Sequence, residues 1–175
     1  KVESLCGMFS GATSFNQDLS NLDVSNVKDM GYIFSGATSF NQDLSNWDVS
    51  NVSSMAGMFN GATSFNQDIS KWNVNNVENM GAMFRDATSF NQPIGNWKLS
   101  KSPSMGNMFN GATSFNQDLN GWNSVSEVAG MFWGATSFNS PIGKWKLTAV
   151  TDMENMFREA TAFNQDISSW DVSNV

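Results

Sequence analysis

Residues 40–66 read FNQDLSNWDVSNVSSMAGMFNGATSFN, and this stretch contains one complete copy of a unit that recurs along the chain. The string ATSFN, or ATAFN in its last copy, places its phenylalanine at Phe15, Phe40, Phe65, Phe90, Phe115, Phe138 and Phe163. The step between copies is 25 residues, except for one step of 23. A fixed period of this length predicts a repeat architecture in which each unit packs on its neighbours.

The unusual composition of the chain follows from this unit. Its 175 residues include 14 Phe, 11 Met and 7 Trp, with no His and a single Cys. All Phe fall at two positions of the unit and all Met at two others, while one further position holds Trp47, Trp72, Trp97, Trp122, Trp145 and Trp170. Apolar residues that recur in register predict an ordered core built of ladders, which a disordered chain does not carry.

Several classes of function are excluded by charge and residue type. A net charge of −7 repels phosphate backbones, so we expect no nucleic-acid partner. Without His, and with one Cys, the chain lacks an imidazole base, a zinc cluster and an internal disulfide. No apolar run of about 18 residues is present, so we expect no transmembrane segment. These absences predict a protein that is not an enzyme.

Local periodicity within one unit predicts its secondary structure. Apolar and polar residues alternate over 47–49, which favours a short strand. Apolar residues over 52–59 are spaced three, three and one apart, which favours a helix of about two turns, and Gly61 suits the left-handed residue that follows. The chain is therefore predicted to be a right-handed solenoid of seven coils over residues 1–175, with one short parallel β-strand and one short helix per coil.

An asparagine follows the phenylalanine of every repeat. These residues are Asn16, Asn41, Asn66, Asn91, Asn116, Asn139 and Asn164. Seven stacked copies are poor candidates for catalysis or ligand binding. We predict a structural ladder in which the side-chain amides bond to backbone groups left unpaired at a bend. The recurring Trp residues are assigned a structural role on the same grounds.

The unit also resembles a known family. L-x-x-W-x-V-x-x-V matches the leucine-rich-repeat framework L-x-x-L-x-L, and the segments Phe40–Leu44 and Trp47–Val52 are similar to the 25-residue subgroup of the BspA-like leucine-rich-repeat surface proteins. This resemblance covers the whole chain and implies a leucine-rich-repeat-like solenoid within a large secreted or surface-anchored protein. It also implies adhesion or partner binding, an extracellular or cell-surface location, and no catalytic residues. Pro93 and Pro141 depart from the Asp of the family unit.

Two outward positions of the repeat vary together. The position between Trp and Val is occupied by Asp23, Asp48, Asn73, Lys98, Asn123, Lys146 and Asp171. The position before Leu or Ile is occupied by Asp18, Asp43, Asp68, Pro93, Asp118, Pro141 and Asp166. Where the second position is Pro, the first is Lys. Since a recurring residue serves packing and a varying one reports something particular, we predict that Asp23, Asp48, Lys98 and Lys146 contact a partner.

The row of aspartates raises the question of a cation. Asp18, Asp43 and Asp68 would stack at strand spacing, which is unfavourable unless the carboxylates splay into water, are screened, or are bridged. Oxygen ligands suit calcium, so these three residues are calcium candidates. Solvated carboxylates explain the same row without an ion, and no spacing typical of a calcium loop is present. No other cofactor is expected.

Two aromatic residues lie outside the ladders. Trp133 takes a position that holds Ser, Asn or Arg in the other repeats, so we expect it to be exposed. Tyr32 takes a position otherwise filled by Gly, Ala or Asn. Because aromatic anchors contribute disproportionately to binding, both are candidate partner contacts.

The sequence thus predicts a non-catalytic repeat scaffold of a surface or extracellular protein, which mediates protein or glycan binding, adhesion or structural assembly. One alternative is an ice- or mineral-binding solenoid, and another is a calcium-stabilised, self-assembling rod. The pattern is cut at both ends, so we expect the chain to be part of a longer protein. Open coils would also allow end-to-end self-association with neighbouring subunits.

Overall fold

The computed structural model describes residues 1–122 and 125–175, so Asn123 of the varying position lies outside the described residues. We number the repeats one to seven, over residues 1–27, 28–52, 53–77, 78–102, 103–125, 126–150 and 151–175. Among the described residues there is no helix and no extended strand. Regular structure consists of tight turns and of isolated parallel bridges that join Ser4 to Asp29, Asp29 to Ser54, Ser54 to Asn79 and Asn79 to Ser104.

The predicted strand and the predicted helix are both absent from the described repeats. Residues 47–49 form no strand, and the parallel bridge of repeat three lies at Ser54, inside the segment expected to be helical. The reason is that a spacing of three, three and one is also satisfied by consecutive tight turns. Such turns bring every third or fourth side chain inward without building an α-helix.

Backbone hydrogen bonds in this segment alternate between two directions. N–H groups of every second residue cross to the next repeat at 2.7–2.9 Å, from Met55 to Asn79, Gly57 to Gly81, Phe59 to Met83 and Gly61 to Arg85. The intervening N–H groups of Met58, Asn60 and Ala62 close turns onto the carbonyl three residues earlier, at 3.0–3.2 Å. One half of the donors therefore builds the turn, and the other half holds neighbouring repeats together.

Two left-handed positions in each repeat produce this alternation. The position of Gly57 has φ between 53° and 65° in all seven repeats, and the position of Gly61 has φ between 55° and 72°. The prediction that Gly61 is left-handed is confirmed, with φ of 69°. A change in the sign of φ reverses the direction of the peptide group, so adjacent N–H groups reach different partners. Glycine relieves the steric cost at most of these positions.

The core consists of two parallel columns of phenylalanine rings. Within a repeat the two rings stack at 3.8–4.1 Å between centroids, as in Phe59 and Phe65. Along the first column successive rings are 5.6–5.8 Å apart, and along the second 5.9–6.1 Å. The Phe, Met and Val side chains of repeats two to six, and the Trp side chains of the ladder in those repeats, are almost entirely buried. The recurring residues therefore form the predicted ladders.

Glycine is required where one repeat approaches the backbone of the next. A Cβ added at Gly95 would overlap the carbonyl oxygen of Asp118, whereas one added at Gly106 would lie 3.8 Å from its nearest neighbour, the carbonyl oxygen of Ala129. Neither glycine has a positive φ, so the two positions differ in space and not in backbone strain.

We predict that Gly95→Ala lowers the free energy of unfolding by about 3 kcal/mol, because the new methyl group meets a backbone atom that cannot move alone. Gly106→Ala is the matched control, with an expected change below about 1 kcal/mol. Urea unfolding followed by tryptophan fluorescence measures both. Equal unfolding midpoints for the two variants would contradict the close approach at Gly95.

Candidate functional site

The asparagine ladder has the structural role that the sequence predicted. The side-chain oxygen of each Asn accepts the backbone N–H of the corresponding Asn in the next repeat, at 2.8–3.0 Å. The same contact runs from Asn16 to Asn164 without interruption, including across the shortened fifth repeat. Six identical hydrogen bonds therefore connect the Asn side chains to the backbone of the neighbouring repeats.

The glutamine that follows each asparagine was not recognised from the sequence. Nε2 of Gln42 donates to the backbone oxygen of Asn16 at 3.1 Å and to its side-chain oxygen at 3.0 Å. Gln67, Gln92, Gln117 and Gln165 make the same pair of bonds. In repeat six the hydroxyl of Ser140 replaces the amide at 3.1 and 3.0 Å. The recurrence of Gln directly after the ladder Asn is the feature of the sequence that indicates this role.

The tryptophan ladder also carries polar contacts between repeats. Nε1 of Trp72 donates to the carbonyl oxygen of Leu44 at 3.0 Å, and equivalent bonds of 2.9–3.2 Å are made by Trp47, Trp97, Trp122, Trp145 and Trp170. Among the described residues, no buried side-chain nitrogen or oxygen lacks a hydrogen-bond partner. The recurring polar groups inside the stack are thus fully engaged.

Each aspartate of the two outward rows binds the backbone of its own turn. In the first row the Oδ1 atom of each aspartate accepts a hydrogen bond from the backbone N–H of the residue two positions later, at 2.8–2.9 Å. The aspartates of this row are Asp18, Asp43, Asp68, Asp118 and Asp166. Asp23, Asp48 and Asp171 of the second row do the same at 3.0–3.1 Å. These contacts are Asx turns, which explain why Asp recurs at both positions.

The calcium hypothesis gains no coordinating geometry from this arrangement. In residues 1–122 and 125–175, no three His, Cys, Asp or Glu side chains come together in a group that could hold a metal ion. Asp18, Asp43 and Asp68 are exposed, and each uses one oxygen for its own turn. Turn formation accounts for the row, and a calcium site at these residues stays a prediction.

The turn hydrogen bonds favour the ionised form of the carboxylates. The Ser70 hydroxyl, followed by the Ser70 backbone N–H, lowers the pKa of Asp68 below its ordinary value. Hydroxyl and backbone groups of the Ser two residues later likewise lower the pKa of Asp23, Asp48, Asp166 and Asp171. At Asp18 the larger cause of the lowered pKa is the backbone N–H of Ser20. All six groups therefore carry full negative charge at neutral pH.

Repeats four and six lose both Asx turns together. Pro93 and Pro141 replace the first Asp, and Lys98 and Lys146 replace the second. Proline fixes the backbone angle of its turn without a carboxylate cap. In repeat four the N–H of Ile94 donates to the carbonyl oxygen of Gln92 at 3.0 Å, which closes a tight turn around Pro93. The tight turn therefore explains the proline. No contact of the Lys98 or Lys146 side chain with a described residue explains why these positions hold lysine.

The four predicted charged contacts occupy the same position in different repeats, so they lie along one edge of the stack. Asp23, Asp48, Lys98 and Lys146 are all exposed. This edge is acidic in repeats one and two and basic in repeats four and six. The structure therefore brings the four residues onto one surface but divides them by sign of charge.

The two aromatic residues outside the ladders differ in exposure. Trp133, expected to be exposed, is half-buried, because the Arg158 guanidinium lies over its ring at 4.6 Å from the ring centroid. Tyr32 is 47% exposed, and its ring covers the Cα of Gly57 in the next repeat. Tyr32 thus presents more free aromatic surface than Trp133.

The aspartates of the two outward rows have closely similar surroundings. The carboxylates form repeated, equivalent turns, whereas a catalytic acid and base need environments that separate their pKa values.

Across the described part of the chain there is no helix long and apolar enough to cross a bilayer.

Comparison with known proteins identifies one family. A family model described as "Mycoplasma protein of unknown function, DUF285" matches residues 1–80, 43–129 and 123–175. The three matches overlap and together include every residue of the chain. No curated protein matches the sequence.

The Asx turns make stability depend on pH in the acidic range. Because the folded pKa of these six carboxyls is lowered, their contribution is complete above the unfolded pKa near 3.8 and is lost as the pH falls through the folded values. We expect the thermal midpoint to stay nearly constant from pH 6 to about pH 4.5 and to fall from there to about pH 2. Asp68→Asn keeps an acceptor oxygen for Ser70 but cannot titrate, so its midpoint should fall less over that range. An equal fall in both proteins would contradict the role of Asp68.

Proposed function

The chain belongs to DUF285, a family of Mycoplasma proteins of unknown function, and we propose that it is a non-catalytic binding scaffold of a surface or extracellular protein. In this proposal the seven repeats form a rigid array that presents an outer surface to a protein or a glycan. The repeats themselves supply the framework, and residues that depart from the repeat supply the binding contacts.

One observation carries the proposal. The polar side chains that recur in the repeat, Asn, Gln and Trp, are committed to bonds between neighbouring repeats. Those side chains are therefore not free for a ligand. Exposed residues that break the pattern, such as Lys98 and the exposed part of Tyr32, remain available for a partner.

The finer assignment to a right-handed, leucine-rich-repeat-like solenoid of the BspA-like type rests on the sequence unit. Identical contacts between consecutive repeats support it, because a solenoid requires each unit to contact only its neighbours. Secretion or surface anchoring and a role in adhesion follow from the same resemblance and belong to the proposal.

We predict that the protein binds a component of a protein or glycan array, and that Tyr32→Gly and Trp133→Asn each weaken this binding at least tenfold, about 1.4 kcal/mol. Each variant restores a residue type found at that position in other repeats, so folding should be preserved. Asn60→Ser, at the position equivalent to Trp133, is the matched control and should leave binding unchanged. Absence of binding to every component, or equal binding by all variants, would refute the proposal.

A further inference from the structure

Most cationic side chains of the protein have a partner. Ion pairs join Lys28 to Glu3 at 2.9 Å, Lys101 to Glu78 at 3.9 Å, Arg85 to Asp86 at 3.4 Å and Arg158 to Glu159 at 3.5 Å. The ammonium of Lys1 donates to the side-chain oxygen of Asn26 at 3.3 Å. The remaining lysines of the nine cationic residues are Lys71, Lys98, Lys144 and Lys146. Their ammonium groups make no ion pair or hydrogen bond with any described residue.

These four lysines occupy only two positions of the repeat. Lys71 and Lys144 precede the ladder tryptophan, and Lys98 and Lys146 follow it. All four are exposed. We call the set Lys71, Lys98, Lys144 and Lys146 the lysine strip; it runs along one edge of repeats three to six. Because equivalent positions stack along one edge, these four positive charges are concentrated there, although the charge of Lys71 also helps to lower the pKa of Asp68 in the neighbouring row.

Acidic residues bound the strip at both ends. At the two positions that flank tryptophan, repeats three to six contain no Asp or Glu. Repeats one, two and seven carry Asp23, Asp48 and Asp171 there. Pro93 and Pro141 also remove the neighbouring carboxylates in repeats four and six. A basic segment is therefore set into an otherwise acidic molecule of net charge −7.

The surface beside the strip is concave. Three adjoining depressions of about 380, 470 and 410 Å³ lie over repeats three to five. They share Asn96, and Gly95 lines two of them. The absence of side chains at Gly95 and Gly121 keeps this surface low, and Lys98 borders two of the depressions. A chain-like ligand could lie along the edge and reach more than one lysine.

The lining favours a polar ligand. Trp72 and Trp97 border the depressions but are only 4% and 2% exposed, so they offer no aromatic anchor to a protein partner. The exposed groups at the two depressions that Lys98 borders include lysine ammonium groups and the side-chain amides of Asn73 and Asn96. The third depression is bordered by the exposed carboxylate of Asp118 and by no lysine, so an anionic ligand would lie over the first two. Ammonium groups pair with carboxylates, and amides bond to hydroxyl groups.

The charge pattern limits the density of negative charge that the ligand can carry. A double-stranded nucleic acid carries one negative charge per about 1.7 Å of its axis, so most of its charges would meet no lysine and its ends would meet the Asp residues that bound the strip. A single polysaccharide strand with at most one carboxylate per sugar carries its charges farther apart. Hydroxyl groups, spaced carboxylates and an extended shape are combined in an acidic polysaccharide.

We propose that the lysine strip binds a polysaccharide containing uronic acids. This proposal deepens the proposed binding function, because it assigns a ligand class and a surface to the glycan-binding alternative. Carboxylates of the sugar pair with the ammonium groups of the strip, while hydroxyl groups bond to Asn73 and Asn96.

The test is titration of the intact 175-residue protein with fluorescently labelled alginate oligosaccharides at low and at physiological salt. We expect binding that weakens with added salt and is absent for neutral dextran oligosaccharides of the same length. The double variant Lys98→Gln/Lys146→Gln should bind at least tenfold more weakly. Lys28→Gln/Lys101→Gln removes the same charge from paired lysines away from the strip and should bind nearly as well as the unmodified protein.

Circular dichroism and thermal unfolding establish that both double variants fold. Equal losses in the two variants, or no binding at low salt, would overturn the proposal. So would tighter binding of polyglutamate or of a single-stranded oligonucleotide than of alginate, which would assign the strip to a peptide or a nucleic acid. Loss of alginate binding in Tyr32→Gly but not in Lys98→Gln/Lys146→Gln would leave the general binding function intact and refute this surface.

Discussion

The structure depends on the division of backbone N–H groups between two tasks. In residues 55–61 alternate donors reach the next repeat, and the others close turns within their own repeat. In a helix all these N–H groups would donate hydrogen bonds within the helix, and in a strand they would all donate to neighbouring strands. The two left-handed residues in each repeat make the division possible, because each reverses the direction of the adjoining peptide group. Stacking and folding of the single repeat are therefore the same process.

Side-chain ladders follow from that backbone arrangement. Once repeats are in register, equivalent phenylalanines stack, and each Asn, Gln and Trp meets the same backbone group in the neighbouring repeat. Each contact is modest, about 1 kcal/mol for a hydrogen bond, but all of them require one register. Slippage by a single residue would break every ladder at once, so the repeated contacts specify the register as well as stabilise it.

In the proposed function, a partner contacts the residues that the ladders leave free. The Asp residues of the outer edge appeared in the sequence as candidates for a cation or a partner, and their first role is to accept a backbone N–H in an Asx turn. A lysine side chain cannot accept such a bond. Lys98 and Lys146 therefore mark two repeats in which this position no longer forms an Asx turn. Lys98 and Lys146 thus take the place of turn carboxylates in repeats four and six, while repeat three carries Lys71 and keeps the turn carboxylate of Asp68.

The sequence by itself determined the period, the register of the repeats, the core residues and the structural role of the asparagines. It did so because the unit recurs in seven copies, so an unusual residue in one copy does not obscure the pattern shared by the others. Only the tertiary structure decided the secondary structure, since an apolar spacing of three and four does not distinguish a helix from consecutive turns. The structure also revealed the role of Gln42 and its equivalents, the cover of Trp133 by Arg158, and the four lysines whose ammonium groups bond to no residue of the described ranges. These features depend on which atoms of adjacent repeats meet, and that information exists only once the repeats are stacked.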